Sequence, residues 1–295
     1  MESIEKIVTP ETKEDYSSKI ELSFFRHAEK ENDKSKDDIE IRLTEAGKKQ
    51  ASEKSDTENI EQSVAFGSPR KRTQETAGLV MAGNQLGING DETLEELKEK
   101  LDQNIKIGSK IGTDEGLNFD LANAQPDFLK TVVQEFKSGN FLKFLIENSD
   151  ALAEETGDKT SLTYLRGASG IAKIVDKYLK IAPRWDILAN DDKKEYTDTL
   201  ERFLGTHQAV SETFLAKVIE KTVGAEERDR FIQVLNNQGF GYTEGFNVEI
   251  LNHGQEEPTI HITYKKEGKD GQEGFEFDKT VSAQMIKDMI LEEKA

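Results

Sequence analysis

The sequence predicts a three-layer α/β/α fold with a mainly parallel sheet, antiparallel edge strands and a helical insert. Apolar runs of strand length at 20–25 and 64–66 are each followed by a helical pattern, an alternation that is typical of a parallel sheet covered by helices. Residues 246–250 and 259–264 alternate apolar and polar side chains with period two, which indicates a pair of antiparallel edge strands.

The first part of the chain predicts strand, loop, helix, strand and helix in that order. The first strand leads directly into Arg26 and His27, and a charged loop follows. Thr44 is expected to cap the first helix, because its hydroxyl can accept a hydrogen bond from a free N–H of the first turn. Ser68 is expected to cap the second helix, over 69–81, since proline is tolerated in the first turn of a helix.

The middle of the chain, over 105–195, is predicted to be a helical insert or cap, because its apolar residues recur at steps of three and four. The strand pattern resumes at 200–205. We therefore expect an α/β core formed by 19–104 and 196–295, preceded by a flexible polar lead-in at 1–18.

The composition excludes several classes of protein. The 295 residues include 40 Lys and Arg against 58 Asp and Glu, and the net charge of −18 argues against general binding of nucleic acid or of an anionic membrane surface. Cysteine is absent, which rules out disulfides, thiolate metal sites and cysteine nucleophiles. The sequence has no apolar run of the ~18 residues that span a membrane and no secretory signal at its N-terminus, so we expect a cytoplasmic protein.

Two histidines follow predicted strands, and they indicate where chemistry takes place. His27 follows the first strand, and His207 follows the strand at 200–205. Ligands of open α/β sheets bind beyond the carboxyl ends of strands, so we expect both imidazoles to share a site with Arg26 and Arg72. An arginine fork matches phosphate oxygens, and phosphate is therefore the predicted ligand. No set of side chains has the spacing of metal ligands, and neither a metal nor a cofactor is predicted.

Four stretches, in this order along the chain, resemble motifs of the histidine phosphatase superfamily, also called phosphoglycerate-mutase-like. Residues 24–30 (FFRHAEK) are similar to its Arg-His-Gly-Glu signature, and residues 43–51 (LTEAGKKQA) to its Leu-Thr-x-x-Gly-x-x-Gln-Ala pattern. Residues 68–77 (SPRKRTQETA) resemble its Ser-Pro-x-x-Arg-x-x-x-Thr-Ala pattern, and residues 205–207 (GTH) resemble the strand that ends in its second histidine. The predicted insert matches no motif of the family.

The resemblance implies transfer of a phosphoryl group through a phosphohistidine on His27. Arg26, Arg72 and His207 would hold the phosphoryl oxygens and neutralise the charge that develops in the transition state. The implied function is a metal-independent phosphomonoester hydrolase, whose substrate is a phosphorylated small molecule or a phosphoprotein. An unprotonated imidazole is a good nucleophile near neutral pH, and nearby positive charges favour that form.

Positions at which the branches of the family differ indicate which branch this chain resembles. The residue after His207 is Gln208, whereas the acid phosphatase and phytase branch has Asp there, so the resemblance favours the other branch. That branch takes its proton donor from a Leu-x-Glu pattern, which residues 94–96 match and which points to Glu96. Lys30 stands where the mutases of the family have Ser, and it is expected to contact an anionic group of the substrate.

Two alternative functions stay open at the level of sequence. A phosphoglycerate-type mutase would share the covalent step, but Lys30 and Asp33 stand where the family's mutases have Ser and Asn. A catalytically inactive phosphate-binding or scaffold protein would keep the cationic residues and lack the acid. Glu92, Glu95 and Glu99 lie close to Glu96, and such a run of glutamates is typical of a solvated helix face.

Overall fold

Strands form where apolar side chains occupy alternate positions, and seven strands make one sheet in the residues that the structure describes. The computed structural model describes residues 16–55, 57, 59–104, 110–119, 121–254, 256–268 and 273–294. The strands are β1 (Ser18–Arg26), β2 (Val64–Gly67), β3 (Ile111–Thr113), β4 (Thr199–Thr206), β5 (Gly245–Asn252), β6 (Thr259–Lys266) and β7 (Phe275–Val281). Their order across the sheet is β3-β2-β4-β1-β5-β6-β7.

The described ranges contain ten α-helices, and a short 3₁₀ helix, Glu115–Leu117, follows β3. The α-helices are α1 (Glu45–Glu53), α2 (Lys71–Ala82), α3 (Leu94–Asp102), α4 (Pro126–Ser138), α5 (Phe141–Glu147), α6 (Ser149–Thr156), α7 (Tyr164–Ala189), α8 (Val210–Thr222), α9 (Ala225–Val234) and α10 (Ala283–Glu292). The predicted cap of α1 is confirmed, because Thr44 Oγ1 accepts a hydrogen bond from the N–H of Gly47 at 3.0 Å. None of the described helices is both long and apolar enough to span a membrane.

The sheet separates two apolar cores, and the predicted α/β class is confirmed. Ile20, Leu22 and Phe24 of β1 are buried in the core that α7 and α8 cover. Phe25, the next residue, lies in the other core, which α2 covers. Successive side chains of a strand point to opposite faces of a sheet, so one strand serves both layers.

Four strands of the sheet are parallel to one another, and the other three pair antiparallel with their neighbours. β2, β3 and β4 are parallel to β1, whereas β5, β6 and β7 each pair antiparallel with the preceding strand across the sheet. β5 and β6 correspond to the predicted antiparallel pair. β7 was not predicted, and it makes the antiparallel side of the sheet wider than a pair of edge strands.

The segment predicted as an insert contacts the core at several points. β3 lies within 105–195 and pairs with β2, and α7 packs on β1 and β5. Residues 1–15 and 105–109 lie outside the described residues. The division into lead-in, core and insert stays a prediction.

Candidate active site

The carboxyl ends of the parallel strands bring the predicted site residues together. Arg26, the last residue of β1, pairs with Thr206, the last residue of β4. His27 and His207 therefore leave adjacent strands at the same edge of the sheet. Their ring centroids lie 5.4 Å apart at an interplanar angle of 69°.

The hydrogen bond of His27 fixes its tautomer. Its Nδ1 lies 2.7 Å from the carbonyl oxygen of Ala28. A carbonyl oxygen only accepts hydrogen bonds, so Nδ1 carries the proton and the lone pair of the neutral ring is on Nε2. Burial, with the charges of Arg72, Arg26 and Lys30, lowers the pKa of His27 to about 3. The ring is therefore neutral at pH 7 and is a competent nucleophile through Nε2.

His207 is buried and bonds to a serine of the neighbouring strand end. Its Nε2 lies 2.8 Å from the hydroxyl oxygen of Ser68, which directly follows β2. Burial and the nearby charge of Arg72 lower the pKa of His207 well below its usual value. The prediction that Ser68 is the N-cap is wrong in position: the Ser68 hydroxyl accepts from the N–H of Arg70 at 3.2 Å, but α2 begins at Lys71, and its N-cap, Arg70, makes no side-chain capping bond.

The two predicted arginines are each held at one end of the guanidinium. Arg26 Nη1 donates to the carbonyl oxygen of Phe240 at 2.7 Å. Arg72 Nη1 donates to the carbonyl oxygen of Asp38 at 2.7 Å, and its Nη2 lies 3.1 Å from the Asp38 carboxylate. The Nε atoms of Arg26 and Arg72 are buried and have no hydrogen-bond partner in the described part of the chain. Buried charged donors without an acceptor are costly, so this pair fits an oxyanion ligand.

Lys30 is at the rim of the same group of charges. Its Nζ lies 4.0 Å from Asp38 Oδ1, and its side chain is partly exposed. Burial and the charge of Arg72 lower the pKa of Lys30. The structure therefore brings Arg26, Arg72 and Lys30 close enough to influence His27.

Glu96, the predicted acid, takes part in the N-terminal cap of α3. Its carboxylate accepts hydrogen bonds from the N–H of Thr93 at 2.8 Å and from the Thr93 hydroxyl at 2.9 Å. These bonds lower the pKa of Glu96, which disfavours a proton donor. Among the described residues, the hydrogen-bond partner of the Glu96 carboxylate is Thr93 and neither His27 nor His207.

Two other residues lie at the site and were not singled out by sequence reasoning. Tyr242 stacks on Arg26, whose Cζ lies 4.5 Å from the ring centroid, and the same ring lies 6.0 Å from that of His27. Asp38 belongs to the charged loop after β1 and contacts Arg72. Tyr242 lies shortly before a predicted strand, and this position could have marked it as a candidate site residue. Asp38 is one of many charged residues in a polar loop, and nothing in the sequence distinguishes it from the others.

A cavity of about 240 Å³ lies beside the strand ends. It is lined by Glu115, Asn118, residues of 160–170 and Val210. The Thr206 hydroxyl donates to the carbonyl oxygen of Leu117 at 3.0 Å, so the 3₁₀ helix after β3 is attached to the end of β4. The lining includes Val210, three residues after His207, but it does not include Arg26, His27, Arg72 or His207.

Residues 22–104 match the family model described as histidine phosphatase superfamily (branch 1). No curated protein sequence matches the chain significantly. Similar solved structures include a phosphoserine phosphatase from Entamoeba histolytica in complex with 3-phosphoglyceric acid, at 15% identity and a TM-score of 0.41, covering 82% of this chain and 94% of that chain. A mycobacterial glucosyl-3-phosphoglycerate phosphatase has 14% identity and a TM-score of 0.43, covering 83% of this chain and 96% of that chain. At such low identities and TM-scores, these likenesses assign no activity to this chain.

Proposed function

We propose that this chain, which over residues 22–104 matches the histidine phosphatase superfamily (branch 1), is a metal-independent phosphomonoester hydrolase. The observation that carries the proposal is the arrangement around His27: a neutral imidazole with its lone pair on Nε2, a second neutral imidazole, and two guanidiniums whose buried Nε donors have no partner among the described residues. This set supplies a nucleophile and positive charge for one phosphoryl group without a metal ion.

In the first step of the proposed mechanism, Nε2 of His27 attacks phosphorus in line with the ester oxygen. The N–P bond forms, the P–O bond breaks, and the leaving alcohol takes a proton from a general acid. Arg26, Arg72 and His207 stabilise the charge on the phosphoryl oxygens. In the second step a water attacks phosphorus and gives a proton to the conjugate base of that acid, the N–P bond breaks, and neutral His27, the acid and inorganic phosphate are restored or released.

For the general acid, we propose Glu115 ahead of Glu96. Thr113, the last residue of β3, pairs with Gly67 of β2, so Glu115 follows a strand end at the same edge of the sheet as the histidines. Glu115 lines the cavity of about 240 Å³ near the end of β4, and we propose that the alcohol leaving group lies on this side of the site. The carboxylate of Glu96 is engaged in its helix cap.

The decisive experiment combines hydrolysis of an aryl phosphate with trapping of the intermediate. We expect turnover in the presence of chelators, an acid-labile labelled phosphohistidine in quenched reactions, and a loss of at least about 10³-fold in kcat for His27→Ala with an unchanged unfolding temperature. Unchanged turnover of this variant, or a strict need for added divalent metal, contradicts the proposal.

The same experiment separates the two alternatives. A mutase would form the phosphohistidine and return the group to a second hydroxyl, so mutase turnover on phosphoglycerates would exceed hydrolysis. A phosphate-binding protein would bind phosphate and form no phosphohistidine. Lys30 is proposed to contact an anionic group of the substrate, and Lys30→Met is then expected to raise KM for substrates that carry a second anion and to leave KM for an aryl phosphate unchanged.

A further inference from the structure

Asp38 is a half-exposed acidic residue whose carboxylate lies among three cations. Its Oδ1 is 3.1 Å from Arg72 Nη1, and its Oδ2 is 3.1 Å from Arg72 Nη2. Arg70 donates to the same carboxylate through its Nε, and Lys30 Nζ lies 4.0 Å from Oδ1. The backbone carbonyl of Asp38 also accepts a bond from Arg72 Nη1 at 2.7 Å. Asp38 therefore holds Arg72 through both its side chain and its backbone.

The contacts with Asp38 use one particular edge of the Arg72 guanidinium. A guanidinium has five N–H donors in a fixed plane, and an acid that binds both Nη atoms leaves the Nε edge unoccupied. In this structure that Nε is buried and has no partner within the described chain. Arg26 is similar in part: its Nη1 donates to the carbonyl oxygen of Phe240, and its Nε has no partner among the described residues.

We propose that Asp38 is a positioning residue, which fixes Arg72 so that its Nε edge meets an oxygen of the phosphoryl group. This inference rests on the proposed function only in that His27, Arg26 and Arg72 bind a phosphoryl group. Asp38 acts through Arg72 and does not itself contact the substrate. Alternatively, the Asp38 carboxylate could occupy the place of the phosphoryl group. In that case removal of the carboxylate would strengthen anion binding, which distinguishes the two roles.

The test uses Asp38→Asn, with Asp37→Asn as a matched control. Both variants lose one negative charge in the same loop. The Asp37 carboxylate accepts a hydrogen bond from the N–H of Ile39 at 3.0 Å, and asparagine can keep that bond. In Asp38→Asn the amide N–H₂ faces guanidinium donors, so one of the two contacts with Arg72 is lost. The probes are inorganic phosphate and orthovanadate, with affinity measured by calorimetry in the full-length chain.

We expect Asp38→Asn to weaken phosphate and vanadate binding about tenfold or more, and to lower kcat for an aryl phosphate by a similar factor. Asp37→Asn should stay within twofold of the unsubstituted protein, and both variants should unfold at its temperature. In an Arg72→Lys background, Asp38→Asn should have little further effect, because its action passes through the guanidinium.

Three results overturn the inference. Tighter anion binding by Asp38→Asn would show that Asp38 occupies the place of the phosphoryl group. Binding within twofold of the control would show that Asp38 has no role in anion binding. Additive effects of Asp38→Asn and Arg72→Lys would show that Asp38 does not act through Arg72. If the unsubstituted chain binds phosphate and hydrolyses nothing, the proposed hydrolase fails while the role of Asp38 is still decided by the affinities. If the chain binds neither anion, both proposals fail.

Discussion

The parallel and antiparallel halves of the sheet differ in what they do with their strand ends. In the parallel half, β1, β2 and β4 end at one edge, and they place His27, Ser68 and His207 side by side. In the antiparallel half, successive strands end at opposite edges, so residues that follow them are dispersed. A shared strand direction, and not the residue types alone, is what gathers side chains from distant parts of the chain.

The same contrast appears in the histidines of the two halves. Burial and neighbouring cations lower the pKa of His27 and His207. His261 lies on β6 with Asp278 and Glu249 as partners, at 2.7 and 3.2 Å, and these carboxylates outweigh partial burial and raise its pKa. One residue type is thus kept neutral in one half and favoured as a cation in the other.

The largest expected effect comes from exchanging these histidines for alanine. His207→Ala should lower kcat for an aryl phosphate by about 10²–10³-fold, because the stabilisation of the phosphoryl oxygens that we propose for this residue would be lost. His261→Ala, the matched control, should leave kcat within twofold. Steady-state kinetics on both variants checks the comparison, and equal losses would show that the antiparallel half takes part in catalysis.

The next effect concerns the proton donor and extends the comparison to the end of β3. Glu115→Gln should lower kcat for an alkyl phosphate by about 10²-fold and should matter less for an aryl phosphate, whose leaving group needs less protonation. Glu96→Gln should leave both rates nearly unchanged. The reverse ranking of the two variants would restore Glu96 as the acid.

A smaller effect is expected from Glu212, a fully buried residue in the first turn of α8. Its Oε1 accepts the N–H of Ala209 at 2.8 Å and that of Phe240 at 2.7 Å, and the Phe240 carbonyl in turn holds Arg26. Glu212→Ala leaves both N–H groups unsatisfied and should lower the free energy of unfolding by about 1–3 kcal/mol. Chemical denaturation measures it. Glu212→Gln keeps one acceptor oxygen, and an equal loss in that variant would contradict this explanation.

The smallest effect is a pH dependence in the antiparallel half. The folded pKa of His261 is raised above its unfolded value of about 6.5, so the stabilisation by its carboxylate partners is complete below that value and is lost as pH rises through the folded pKa. His261→Gln should therefore lower the unfolding temperature by about 1–2 °C in mild acid and leave it unchanged in mild base. A deficit that is the same at both pH values would show that the pair's charge contributes nothing.

Local patterns predicted the elements around the site well. The strand at 20–25 and the cap at Thr44 match β1 and α1, because alternation and side-chain capping depend on residues close in sequence. Ser68 shows the limit of such reasoning. A serine before proline is a good cap locally, yet its hydroxyl meets His207, which follows another strand. β7 was missed because three of its successive residues, 278–280, are exposed and break the alternation.

The sequence by itself determined which residues carry charge and most of the strands and helices around the site, and it showed that the stretches holding Arg26, His27, Arg72 and His207 resemble motifs of one family. Only the tertiary structure decided the tautomer of His27, the partner of Ser68 and the hold of Asp38 on Arg72. Those features depend on distances between atoms of elements that are far apart in the sequence. Such distances are set by how the strands align and the helices pack, and a local sequence pattern does not contain that information.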